Sequence, residues 1–203
     1  SGMLAAEISV VISNNPDAPG LQLASQAGIP IACVNHRDYA DRESFDAALV
    51  AELAQFDVDL VILAGFMRIL TPVFINAFEG RLLNIHPSQP PKYPGLNTHQ
   101  RALDAGDTEA GVTVHFVTQE LDGGPPVLQA IVPIEENETA DTLAARVIAR
   151  EHALYVCAAR WFLQGRLLLD AAGASLDNQL LPPSGIQVTE GCESLDAAAL
   201  ALC

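Results

Sequence analysis

An α/β fold with a doubly wound, mostly parallel sheet is predicted by three features of the sequence. Short runs rich in Ile, Val and Leu alternate with stretches of helical periodicity, the runs are apolar at nearly every position, and Pro, Gly, Asn or Asp punctuates the joins. A strand that is apolar on both sides must be covered on both faces, which a parallel sheet with crossover helices achieves.

In order, residues 7–13 read as a buried strand closed by Asn14-Asn15-Pro16-Asp17, and residues 18–27 as a helix stopped by Gly28. Residues 29–34 make a second strand, leading into the polar segment 35–41. From 42 to 56, Phe45, Leu49 and Leu53 recur at helical spacing. Residues 60–64 are again an apolar strand, 67–78 a short helix with Pro72 near its start, and 82–85 the next strand. The rhythm then breaks at a proline-laden loop, Pro87-Ser88-Gln89-Pro90-Pro91-Lys92-Tyr93-Pro94-Gly95, that can continue neither element. Helix is expected over 98–105, then strands over 112–117 and 127–134 as a hairpin-like pair at the sheet edge, with Asp122 in the connection. Thr139 suits a helix N-cap, with Asp141 in the first turn. Leu143, Val147, Ala153 or Leu154, Ala158 and Trp161 form the apolar stripe of what is then the longest helix. Past Gly165 there is little chemistry to read.

The composition bounds the function. With 203 residues, half of them hydrophobic, the chain can bury a substantial core and suits one domain. A formal charge of −15 argues against a polyanionic partner, so no nucleic acid is expected. The longest apolar run, 60–67, is far too short to span a bilayer, and no signal-like segment opens the chain; the expectation is no membrane association and a cytoplasmic location. Cys33, Cys157, Cys192 and Cys203 show no C-x-x-C pair and no histidine at ligand spacing. They read as reduced, mostly packing residues, with no metal site.

Chemistry is concentrated at Leu82-Leu83-Asn84-Ile85-His86-Pro87-Ser88. In a strand, positions two apart share a face, so an amide and an imidazole project together where Pro87 ends the ladder. Ligands of open α/β sheets sit beyond the carboxyl ends of the strands.

Four motifs, in order and at consistent spacing, make the sequence similar to the phosphoribosylglycinamide formyltransferase family. They are Leu63-Ala64-Gly65-Phe66-Met67-Arg68-Ile69-Leu70, Asn84-Ile85-His86-Pro87-Ser88, Lys92-Tyr93-Pro94-Gly95-Leu96, and Val114-His115-Phe116-Val117 with Leu121-Asp122-Gly123-Gly124-Pro125. The resemblance implies a Rossmann-like formyltransferase fold and transfer of a formyl group from 10-formyltetrahydrofolate, a co-substrate, to the amine of 5'-phosphoribosylglycinamide (GAR) in purine synthesis. It implies that Asn84, His86 and Asp122 are catalytic: the amide holds the formyl oxygen, the imidazolium stabilises the oxyanion and acts as general acid, and the adjacent carboxylate favours the imidazolium. By the same resemblance Arg42, Met67, Arg68, Ile69, Leu70, Asn84, Thr118, Gln119, Glu120, Leu121 and Asp122 contact the folate, and Pro87 and Glu151 contact GAR. The partners implied are these two small molecules, on a monomer or homodimer.

The sequence departs from the family in three places. The family opens with a strand, a glycine-rich phosphate loop and a helix, and none of these precedes Glu7. The expectation is an N-terminally incomplete formyltransferase domain over 1–190, followed by a tail, 191–203, of unknown role. Gln89-Pro90 replaces two leucines that are usual beside the folate, and Val156-Cys157 follows Tyr155 where a proline is usual. Formyltetrahydrofolate deformylase is the second reading, and a non-catalytic folate-binding relative the third. A methionyl-tRNA formyltransferase would need a further, positively charged domain.

Overall fold

The computed structural model describes residues 6–188. Strand β1 (Val11–Ser13) pairs in parallel with β2 (Ile31–Cys33) through the crossover helix α1 (Pro19–Gln26). Helix α2 (Arg42–Leu53) follows, its first turn capped by Asp41, whose carboxylate accepts from the Ser44 amide at 2.8 Å. Then come β3 (Val61–Leu63), α3 (Pro72–Ala77), β4 (Leu82–His86) and α4 (Thr98–Asp104). Strands β5 (Glu109–Phe116) and β6 (Pro126–Pro133) lead to the long helix α5 (Ala140–Leu163), opened by Thr139 as expected. The described residues end with β7 (Leu167–Asp170), β8 (Gly173–Leu176), β9 (Gln179–Leu180) and β10 (Ile186–Val188).

The main sheet has the order β10-β6-β5-β4-β3. Its outer pairs, β10 with β6 and β4 with β3, are parallel, and the inner pairs are antiparallel. The α/β class therefore holds, with a mixed sheet. Helix α5 packs on β5 and β6, where Leu143, Val147, Leu154 and Trp161 meet Val112, Val114, Phe116 and Leu128, all of them at most 2% exposed. Such burial contributes about 1.5–3 kcal/mol per large side chain and anchors the strands that carry the site. A second cluster, Phe45, Leu49, Leu53, Phe74, Phe78 and Leu82, joins α2 and α3 to the β3 side of the sheet.

Three expectations are corrected, and one stretch that the sequence left unread is filled in. The β5–β6 pair is interior, because β10 lies beside β6; a pairing between residues 58 apart, such as Gln187 with Gln129, leaves no local sign. The stretch after Gly165 forms a three-stranded meander, β7-β8-β9, as well as β10. Helix α3 is shorter than 67–78 because buried Asp46 captures the Thr71 amide at 2.6 Å and its hydroxyl at 2.7 Å, holding 67–71 as a loop until Pro72 starts the helix. Cys157 is buried as a packing residue, but Cys33 is exposed; Cys192, Cys203 and the tail lie outside the described residues.

Strands β1 and β2 form a sheet of their own. Between β1 and β3 lies a cavity of about 530 Å³ lined by Val10, Ile12, Leu49, Val61, Leu63 and Phe74 among others. Among the described residues no strand pairs with both β1 and β3.

Candidate active site

His86 is the last residue of β4, and Asn84 stands two residues before it. The antiparallel register sets Asn84 opposite His115 and His86 opposite Thr113. Opposed residues share a face, so one side of the sheet is polar at this point while Leu83, Val112 and Val114 fill the other. The polar row continues outward: Gln187 donates to Gln129 (3.1 Å), Gln129 to the Thr113 hydroxyl (3.0 Å), and that hydroxyl to the Ser88 carbonyl (2.8 Å). The chain immediately after His86 is thereby fixed by a ladder whose inner members, Thr113 and Gln129, are buried and whose donors all find acceptors.

His115 orients Asn84. Its Nδ1 lies 2.8 Å from the Phe116 carbonyl and its Nε2 lies 3.3 Å from Asn84 Nδ2. A carbonyl only accepts, so Nδ1 carries the hydrogen and Nε2 accepts from the amide. Burial pushes the His115 imidazole below its ordinary value, which favours this neutral form. One amide hydrogen of Asn84 is thus used, and the other is available to a ligand oxygen.

The sign of the His115 shift gives a pH prediction. The unfolded chain takes up a proton near the ordinary histidine value, about 6.5, and the folded chain only at lower pH. The contribution to stability is complete above about pH 6.5 and is lost as pH falls through the lowered folded value. Urea unfolding should show the native protein losing more stability between about pH 7 and pH 5 than His115→Gln; parallel curves for the two would remove His115 as the cause.

His86 is held from two sides. Its Nε2 lies 2.9 Å from the Tyr93 carbonyl, and its Nδ1 lies 3.5 Å from Asp122 Oδ2. The same Asp122 oxygen accepts the Gly95 amide at 2.9 Å, so the loop after His86 is tied to the β5–β6 connection. Asp122 has φ +51°, and the connection turns tightly enough that a Cβ on Gly124 would meet the Phe116 carbonyl at 1.9 Å. Only glycine fits there, and the turn aims Asp122 at His86.

The other expected residues are spread over several elements. Thr118, Gln119, Glu120 and Leu121 lie in the β5–β6 connection ahead of Asp122, and Gln119 reaches back to Asn76 in the last turn of α3 at 3.2 Å. Met67 and Ile69 are 76% and 53% exposed beside buried Leu70, while the Arg68 guanidinium stacks on Phe45. Its Nε is buried without a hydrogen bond. Arg42 is exposed at the start of α2, one turn before Phe45. Glu151 lies half-buried on α5, where burial raises its carboxyl above the ordinary value. One turn on, the buried Tyr155 hydroxyl lies 2.6 Å from the Leu63 carbonyl and 3.0 Å from that of Leu83, next to Asn84. Pro87 directly follows His86 and is partly buried. Gln89 turns to the Ala110 carbonyl at 2.8 Å.

Several residues without an assigned role in the sequence analysis prove structurally central: His115, Tyr93, Gly95, Asp107, Thr113 and Gln129. The Lys-Tyr-Pro-Gly and Val-His-Phe-Val motifs flagged some of them, but their contacts depend on long-range register. Among the described residues no group of acidic, Cys or His side chains is arranged to hold a metal, and no helix is long and apolar enough to cross a membrane.

An amide, an imidazole and a carboxylate gathered at a strand end of an α/β sheet have the chemistry to stabilise an oxyanion and move a proton, as group-transfer enzymes require. Residues 1–159 match the family described as formyl transferase, and the chain belongs to the formyl transferases and, within them, to the phosphoribosylglycinamide formyltransferases. It is 49% identical over 183 residues to the Escherichia coli phosphoribosylglycinamide formyltransferase, covering 90% of this chain and 86% of that protein. The Haemophilus influenzae protein of the same name is 48% identical, with 91% and 87% covered. A solved Coxiella burnetii phosphoribosylglycinamide formyltransferase superposes with TM-score 0.87 at 46% identity, covering 91% of this chain and 87% of that one.

Proposed function

We propose that this chain transfers the formyl group of 10-formyltetrahydrofolate directly to the primary amine of GAR, as a step of purine biosynthesis. The observation that carries the reading is the convergence of Asn84, His86 and Asp122 at the end of β4, with His115 orienting the amide. The amine attacks the formyl carbon, and the negative charge that develops on the formyl oxygen meets the free amide hydrogen of Asn84 and the His86 ring. The carbon–N10 bond then breaks as N10 gains a proton and the amine loses one, with His86 as the relay. No covalent bond to the protein is required. Preorganised donors of this kind contribute about 3–4 kcal/mol each to such a transition state.

In this reading Arg42, the loop 67–70 and residues 118–122 hold the folate, and Pro87 and Glu151 face GAR. The catalytic unit spans 1–190, acts in the cytoplasm as a monomer or homodimer, and needs no metal. The first test follows the ultraviolet absorbance of deformylated folate with and without GAR. The expected result is turnover that requires GAR; formate release without GAR would identify a deformylase instead, and folate binding without either product a non-catalytic relative.

A further inference from the structure

The loop between His86 and α4 carries a side-chain cluster outside the catalytic trio. Asp107 Oδ2 accepts from the Tyr93 hydroxyl at 2.8 Å and from Lys92 Nζ at 3.0 Å. The Arg101 guanidinium lies 5.1 Å from the centre of the Tyr93 ring and donates to the Pro94 carbonyl at 2.7 Å. Tyr93 itself has φ +54°, a backbone conformation that a bulky residue adopts only where its surroundings impose it. These contacts supply that constraint. They bear directly on His86, because it is the carbonyl of this same Tyr93 that faces His86 Nε2.

The preceding part of the loop does not need Asp107. The Ser88 carbonyl is held by Thr113, and the Ser88 hydroxyl donates to the Lys92 carbonyl at 2.8 Å. What remains to be set is the peptide that follows, and the Tyr93 side chain is its handle. A carbonyl on Nε2 selects the imidazole tautomer with hydrogen on that nitrogen, leaving Nδ1 as the nitrogen that faces Asp122. At 3.5 Å the Nδ1 to Asp122 separation is longer than a well-formed hydrogen bond, so Asp122 alone does not fix the tautomer of the ring.

We propose that Asp107 is a positioning residue: by gripping the Tyr93 side chain it presents the Tyr93 carbonyl to His86 Nε2 and so fixes which imidazole nitrogen does the chemistry. The inference rests on the proposed formyl transfer for its consequence in turnover, but not for its geometry. Two readouts therefore keep the two ideas apart. Asp107→Ala and Tyr93→Phe should each lower kcat roughly ten- to a hundredfold, the scale of a misplaced catalytic group, with both KM values nearly unchanged. Asp107→Asn, which keeps an acceptor for the Tyr93 hydroxyl, should recover most of the loss.

The second readout is the long-range proton–nitrogen NMR spectrum of the His86 ring at a pH where the ring is neutral. Native protein and Asp107→Asn should show a single Nε2-protonated tautomer, and Asp107→Ala and Tyr93→Phe a mixture. Unchanged kcat together with an unchanged tautomer in both Asp107→Ala and Tyr93→Phe overturns the proposal. Absence of turnover in native protein would defeat the functional reading, while the NMR comparison would still decide the role of Asp107. Tyr93→Phe keeps the ring under Arg101, so it remains informative if Asp107→Ala fails to fold.

Discussion

His86→Ala is expected to lower kcat by about a thousandfold while leaving the fold intact. Two contributions vanish together: stabilisation of the formyl oxyanion, and the proton relay between amine and N10, each worth about a hundredfold or more in comparable enzymes. The fold should survive because the imidazole contacts a loop carbonyl and the edge of a carboxylate, whereas the strand beneath is held by its register with β3 and β5. Steady-state kinetics beside a urea unfolding curve checks both halves. A variant within tenfold of native turnover would show that the imidazole is not the relay.

Asp122 is expected to show the next largest effect, and its two substitutions separate two duties. Its Oδ2 both faces His86 Nδ1 and accepts the Gly95 amide. Asn at this position keeps an acceptor for Gly95 and tolerates the positive φ of +51°, but it cannot supply a negative charge to the imidazolium. Ala loses charge and acceptor, and is strained at that φ. Asp122→Asn should cost about a hundredfold in kcat with the loop in place, and Asp122→Ala distinctly more, with a lower unfolding midpoint. Equal kcat for Asn and the native residue would assign Asp122 to loop closure alone.

The sequence made the local part of this site legible. An apolar run ending in Asn-x-His-Pro reads as a strand whose last polar residues share a face, and β4 bears them as expected. The glycine-rich turn placed Asp122 in the β5–β6 connection, where it is found. What stayed hidden depends on partners distant in the chain. Asn84 meets His115 31 residues away, and Thr71 meets Asp46 25 residues away. Neither spacing follows from periodicity, which reports the face a residue occupies but not the residue opposite. The same limit placed β5–β6 at the sheet edge, because the short run of β10 shows no alternation long enough to be read as a strand. Tyr93 was visible only as part of a motif; its backbone carbonyl, the atom that matters, has no sequence signature.

The most direct test of the account follows the formyl carbon itself. Native protein is given GAR and 10-formyltetrahydrofolate labelled with carbon-13 in the formyl group, in the presence of excess unlabelled formate, and the products are read by carbon NMR. Direct transfer within the site formed by Asn84, His86 and Asp122 predicts fully labelled formylated GAR and no labelled formate. Labelled formate accumulating whether or not GAR is present, or label diluted in the formylated product, would contradict it.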